Sequence, residues 1–142
     1  MSMRRTTDTL SSLIVILCSV LFTTKVAAQK VEFCEQVTQQ GECIHAGSFF
    51  RVTDKGGRLQ VVVHSAAPLA GDKAVLDLFF KDDSGKEKFE STIKVDVQPD
   101  WMWFSRQLVF QRPGEYVVYA YDSKGNLIGT ASLTIGRAAD KQ

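Results

Sequence analysis

Histidine is the side chain best suited to moving a proton near neutral pH, and this chain has two, His45 and His64. A serine or cysteine nucleophile would need one of them as its base. No Gly-x-Ser-x-Gly turn accompanies either, so the sequence points away from an enzyme. Cys34 and Cys43 carry more information, and two readings of them are open. One is a disulfide closing a short loop, favoured because Cys18 lies in an N-terminal secretory leader and an even pair of thiols remains after its removal. The other is a zinc or copper site that includes Cys43-Ile44-His45, although spacing alone supplies no tetrahedral ligand set. A blue-copper centre would need Cys, His and Met together late in the chain, and no Cys lies there. Asp82-Asp83-Ser84-Gly85 and Asp122-Ser123-Lys124-Gly125-Asn126 have calcium-like composition. Neither matches the D-x-[DN]-x-[DN]-G loop, and both read as hairpin turns. No cofactor and no metal site are expected.

The most unusual segment is PDWMWFSR at 99–106. Strand alternation cannot bury all of it. With Met102, Phe104, Leu108 and Phe110 directed inward, Trp101 and Trp103 face outward. On the strand that follows, Tyr116, Val118 and Ala120 would face in, leaving Val117, Tyr119 and Tyr121 outside. The expectation is an aromatic sheet face of Trp101, Trp103, Tyr119 and Tyr121 with Arg106 or Gln107 near its edge. Such a surface suits a protein or glycan partner. The competing expectation is that the tryptophans are covered, by the 66–72 loop or by a disulfide loop near the N-terminus. The domain would then be structural or accessory, without a small ligand. His64 shares its strand face with Arg58, Gln60 and Val62 and reads as a solvated side chain.

These residues must be positioned by strands, because the hydrophobic period is two nearly everywhere. Strands are expected over 48–53, 58–65, 73–81, 86–98, 102–110, 115–122 and 127–135, with a short one over 30–33. In KEKFESTIKVDVQ at 86–98, Phe89, Ser91, Ile93, Val95 and Val97 fall on one parity and Lys88, Glu90, Thr92, Lys94 and Asp96 on the other. The breaks DKGG, DDSG, QRPG and SKGN are turn sequences. No helix is expected. Seven or eight strands at this spacing make one antiparallel β-sandwich.

The stretch Phe110-Gln-Arg-Pro-Gly-Glu-Tyr-Val-Val resembles the F-x-x-P-G-x-Y-x-V corner of immunoglobulin-like sandwiches. It looks most like the PKD-like or fibronectin-III-like domains of bacterial exported proteins. The resemblance covers roughly residues 101–135. It implies that the Tyr116 hydroxyl closes a turn onto upstream backbone and that Val118 points into the core. It says almost nothing of function. No cysteine occupies the bridged positions of antibody-type domains, so a Cys34–Cys43 bridge would be a local staple.

The N-terminus reads as a secretory leader over 1–28. Arg4 and Arg5 precede LIVILCSVLF, and Val26 and Ala28 fit a cleavage site before Gln29. An apolar run this short spans about half of a ~30 Å bilayer core, so no stable membrane span is expected after cleavage. The domain then occupies 29–136 and a frayed polar tail 137–142, in a secreted or periplasmic protein. Three of the 17 basic and one of the 16 acidic residues leave with the leader. The near balance that remains offers no basic stripe for nucleic acid. Mass spectrometry of the exported protein is expected to find a chain beginning at Gln29, and an intact Met1 in a membrane fraction is the opposite result.

Overall fold

The computed structural model describes residues 29–53 and 55–137; the expected leader and residues 138–142 lie outside them. The strands are β1 (Lys30–Cys34), β2 (Gln36–Val37), β3 (Cys43–Ile44), β4 (Phe49–Val52), β5 (Gly57–His64), β6 (Lys73–Lys81), β7 (Glu87–Asp96), β8 (Trp103–Phe110), β9 (Gly114–Tyr121) and β10 (Leu127–Arg137). Eight of these stand where the alternation puts strands. The other two, β2 and β3, are a two-residue ladder inside the 35–47 loop, too short to leave a periodic trace.

β1, β5 and β8 form one sheet in that order, and β4, β10, β9, β6 and β7 form the other. The two pack face to face as a β-sandwich around one core. Every long pairing is antiparallel except β4 with β10, which run parallel from Phe49 beside Thr134 to Val52 beside Arg137. The N-terminal part of the chain therefore serves both sheets, β1 in the small one and β4 in the large one. Arg137, expected in the tail, closes β10 instead.

The core follows the alternation. Phe33, Leu59, Val61, Val63, Phe104, Leu108 and Phe110 come from the small sheet. Leu76, Leu78, Tyr116, Val118, Leu133 and Ile135 come from the large one, and all are buried. At ~25 cal/mol per Å² of apolar surface removed from water, this layer is the main source of stability.

The corner before β9 has the expected geometry. Tyr116 donates its hydroxyl hydrogen to the Arg112 carbonyl at 2.8 Å. Its ring meets Phe110 and Phe80 edge-on, at centroid separations of 4.8 and 5.3 Å. Burial pushes the phenol above its usual range. Gly114 has φ 145°, and a Cβ there would strike the Phe80 ring. The Arg112 guanidinium lies 3.9 Å from the centroid of that ring and pairs with Glu90. The acidic turns are hairpins: Asp82 accepts the amides of Ser84 and Lys86, each at 3.0 Å, and Asp122 those of Lys124 and Asn126, each at 2.9 Å.

Two parities differ from expectation. A bulge at Glu90 shifts the β6–β7 register between Ser91 and Phe89. Phe89 therefore turns away from the side shared by Ile93 and Val95 and is 60% exposed. Met102 precedes β8 and escapes its alternation, standing 39% exposed. Tyr116→Phe is expected to cost about 1 kcal/mol in urea denaturation through its lost hydrogen bond. Val118→Asp should give no folded protein, because it buries a charge without a partner.

Candidate functional site

The outer face of the small sheet is governed by the loop that joins β1 to β3. Cys34 and Cys43 are bridged, with Cα atoms 5.6 Å apart. Cys34 pairs with Gln60 and is fully buried on this outer side. Within the loop, the Thr38 hydroxyl accepts the amides of Gln40 and Glu42 at 3.3 and 3.1 Å. Gly41 then takes φ 81°, which only glycine adopts without strain. It sits on the Trp103 indole so closely that a Cβ would lie 2.5 Å from the ring. Its carbonyl accepts a hydrogen bond from His64 Nε2 at 3.1 Å. His64 in turn stacks on Trp103, with centroids 6.4 Å apart and planes 28° from parallel.

Trp103 is thus half-buried packing beneath a stapled loop, the competing expectation of the sequence. His64 is a strut of that loop and not a solvated side chain. The bridge uses the thiols of Cys34 and Cys43, so neither is left for a metal. His45 Nδ1 lies 2.9 Å from a Glu35 carboxylate oxygen. Among the described residues, no three His, Cys, Asp or Glu side chains gather as a metal site.

Tyr119 and Tyr121 are on β9, in the middle of the large sheet. They face outward, as alternation requires, but on the opposite side of the molecule from Trp103. The five expected residues are therefore divided. Parity states whether a side chain points into the core; it does not state which sheet holds the strand. β8 and β9 are consecutive yet belong to different sheets. Tyr119 donates its hydroxyl hydrogen to the Glu87 carboxylate at 2.8 Å, which raises its pKa. It meets Phe79 edge-on at 5.3 Å, and Phe79 meets Phe89 at 5.7 Å. Val117, expected outside, is buried on this face.

Trp101, Trp103 and Arg106 do come together. With Met102, Lys94 and Asp96 they line a groove of about 510 Å³ where the edges of β7 and β8 flank the opening between the sheets. The groove is held from behind by backbone. Ser65 and Leu69 donate their amides to the carbonyls of Met102 and Trp101, each at 2.8 Å. The backbone is fixed, and the side chains of Trp101 (43% exposed) and Met102 are left toward solvent. Arg106 shares the inward parity of Phe104 and Leu108, but at this open edge it stays exposed. Asp96 is held below the usual carboxylate range by its hydrogen bond from Lys73, with Arg106 adding a smaller attraction. Met102, expected inward, and Lys94 and Asp96 are groove residues that the alternation pattern did not place on a binding face.

No protein-family model matches the chain, and no curated protein matches it in sequence. Similar solved structures include an immunoglobulin-like protein from Pseudomonas aeruginosa, 12% identical, covering 77% of this chain and 94% of that one, with a TM-score of 0.48. The soluble domain of PmoD from Methylocystis sp. ATCC 49242 is 13% identical over 76% of this chain and 90% of its own, with a TM-score of 0.44. A superoxide reductase (neelaredoxin) from Ignicoccus hospitalis is 15% identical over 75% and 82%, with a TM-score of 0.41.

Trp103→Ala is expected to lower unfolding free energy by about 3 kcal/mol, near the lower end of the range for a buried aromatic. Gly41→Ala should lower it as well. Chemical denaturation of each variant checks both, and an unchanged midpoint for Trp103→Ala would show that the loop does not need the indole.

Proposed function

We propose that the chain is an exported, non-catalytic binding module whose contact surface is the groove of Trp101, Met102 and Arg106. The observation that carries this is the pairing of a fixed backbone with two exposed apolar side chains beside a cation. Trp and Met at the surface are costly in water and useful at an interface, and Trp and Arg are the residues that most often dominate binding energy. A non-catalytic role is supported by the engagements of both histidines, His45 with Glu35 and His64 with the Gly41 carbonyl. Export is supported by the leader sequence and by the bridged cysteines, which persist in oxidising compartments. The partner we favour is a protein, because the groove combines apolar and charged side chains along a sheet edge.

The covering of Trp103 and the tethering of Tyr119 to Glu87 favour a second reading, an accessory domain that binds nothing at this groove. Immobilised wild-type, Trp101→Ala and Arg106→Glu proteins, incubated with an envelope extract of the source organism, separate the two. The binding role predicts a partner held by wild type and lost from both variants while their melting temperatures stay near wild type. A capture pattern identical for all three supports the accessory reading.

A further inference from the structure

A sandwich of two open sheets has four edge strands, and each is a template for another chain unless something blunts it. Three of the four are managed here. β4 is four residues long and carries Arg51. β1 is five residues long, and its edge is partly taken by Gly47, whose amide donates to the Phe33 carbonyl at 3.0 Å. β7 is long, but the bulge at Glu90 interrupts its ladder, and Lys88, Glu90, Lys94 and Asp96 charge it. β8 differs. It runs eight residues with no proline and one charge, Arg106, and its register with β5 is unbroken from Trp103 to Phe110. Among the described residues no strand pairs with its other side.

The unpaired charges that line the surfaces beside that edge have one sign. Arg58 and Arg106 flank a surface on the β5 side, and Lys94 and Arg106 stand in the Trp101 groove. None of these three cations belongs to an ion pair among the described residues; Asp96, the nearby acid, is taken by Lys73. The same arrangement argues against a second copy of this chain. Antiparallel pairing of two β8 strands centred on Arg106 would set the two Arg106 residues directly opposite each other, and like charges that close repel.

We propose that β8 is a strand-addition site for an extended, acidic segment of a partner protein, with an apolar side chain of that segment seated against Trp101 and Met102. The proposal rests on the binding-module reading and names the partner's chemistry. Strand addition draws affinity from main-chain hydrogen bonds and specificity from the side chains beside them.

The test uses the mature protein and a displayed library of random peptides of about ten residues, long enough to span β8. Enriched peptides should be acidic and rich in β-branched or aromatic residues. Binding should shift the β8 amides in heteronuclear NMR spectra. N-methylating one alternating set of amides in the best peptide should weaken binding by about tenfold or more, because only alternate amides face the new neighbour; methylating the other set should be tolerated. Arg106→Glu should weaken the same peptide by a similar factor. The proposal falls if the enriched peptides are not acidic, if both methylated sets bind as the parent does, or if the shifts map to the Phe79, Phe89 and Tyr119 face. It also falls if no peptide is enriched, or if sedimentation shows the chain pairing β8 with itself. Should Trp101→Ala still lose an envelope partner in any of those cases, the module reading stands without strand addition.

Discussion

The Cys34–Cys43 clip lets a three-stranded sheet be apolar on both faces. Its inner face packs on the large sheet in the usual way. Its outer face carries Cys34, Val62 and Trp103, which a sheet this narrow could not leave to water. The loop closed by the bridge supplies the missing layer. Closing so short a loop removes about 2–3 kcal/mol worth of freedom from the unfolded chain. It also brings Gly41 onto the indole and its carbonyl onto His64. Release of the bridge would free the layer that covers Trp103, and with it one wall of the groove.

Much of the fold was legible because the forces that set it are local. Alternation marked the eight long strands, and Pro113-Gly114 followed by Tyr116 marked the corner, since a phenol at that spacing can reach the Arg112 carbonyl. The cysteine pair was legible as a bridge because assigning Cys18 to the expected leader leaves an even number of thiols. What stayed hidden depends on long-range pairing. The bulge at Glu90 has no signature in KEKFESTIKVDVQ, and one extra residue inverted Phe89. The parallel pairing of β4 with β10 joins residues more than eighty positions apart in sequence, beyond any local pattern.

The candidate site shows the same division. Trp101 and Arg106 were legible as exposed because a strand entrance and an open edge leave them so. Grouping them with Tyr119 and Tyr121 failed for a topological reason, the passage of the chain from the small sheet to the large one at the corner. Lys94 and Asp96 entered the site from β7, a strand whose outer residues look like ordinary solvated charge. Only the approach of two sheet edges gives them a neighbour worth naming.

The parallel ladder between β4 and β10 has a mechanical side. The chain enters β4 at Phe49 and leaves β10 at Arg137, at opposite ends of the same strand pair. Tension applied between Phe49 and Arg137 would slide these strands along each other. Their hydrogen bonds would then share the load together, whereas in a hairpin pulled open from one end they break one at a time. A pull on the N-terminal side loads the pairing of β1 with β5 first, and the β4–β10 ladder takes the load in shear once β1 has parted.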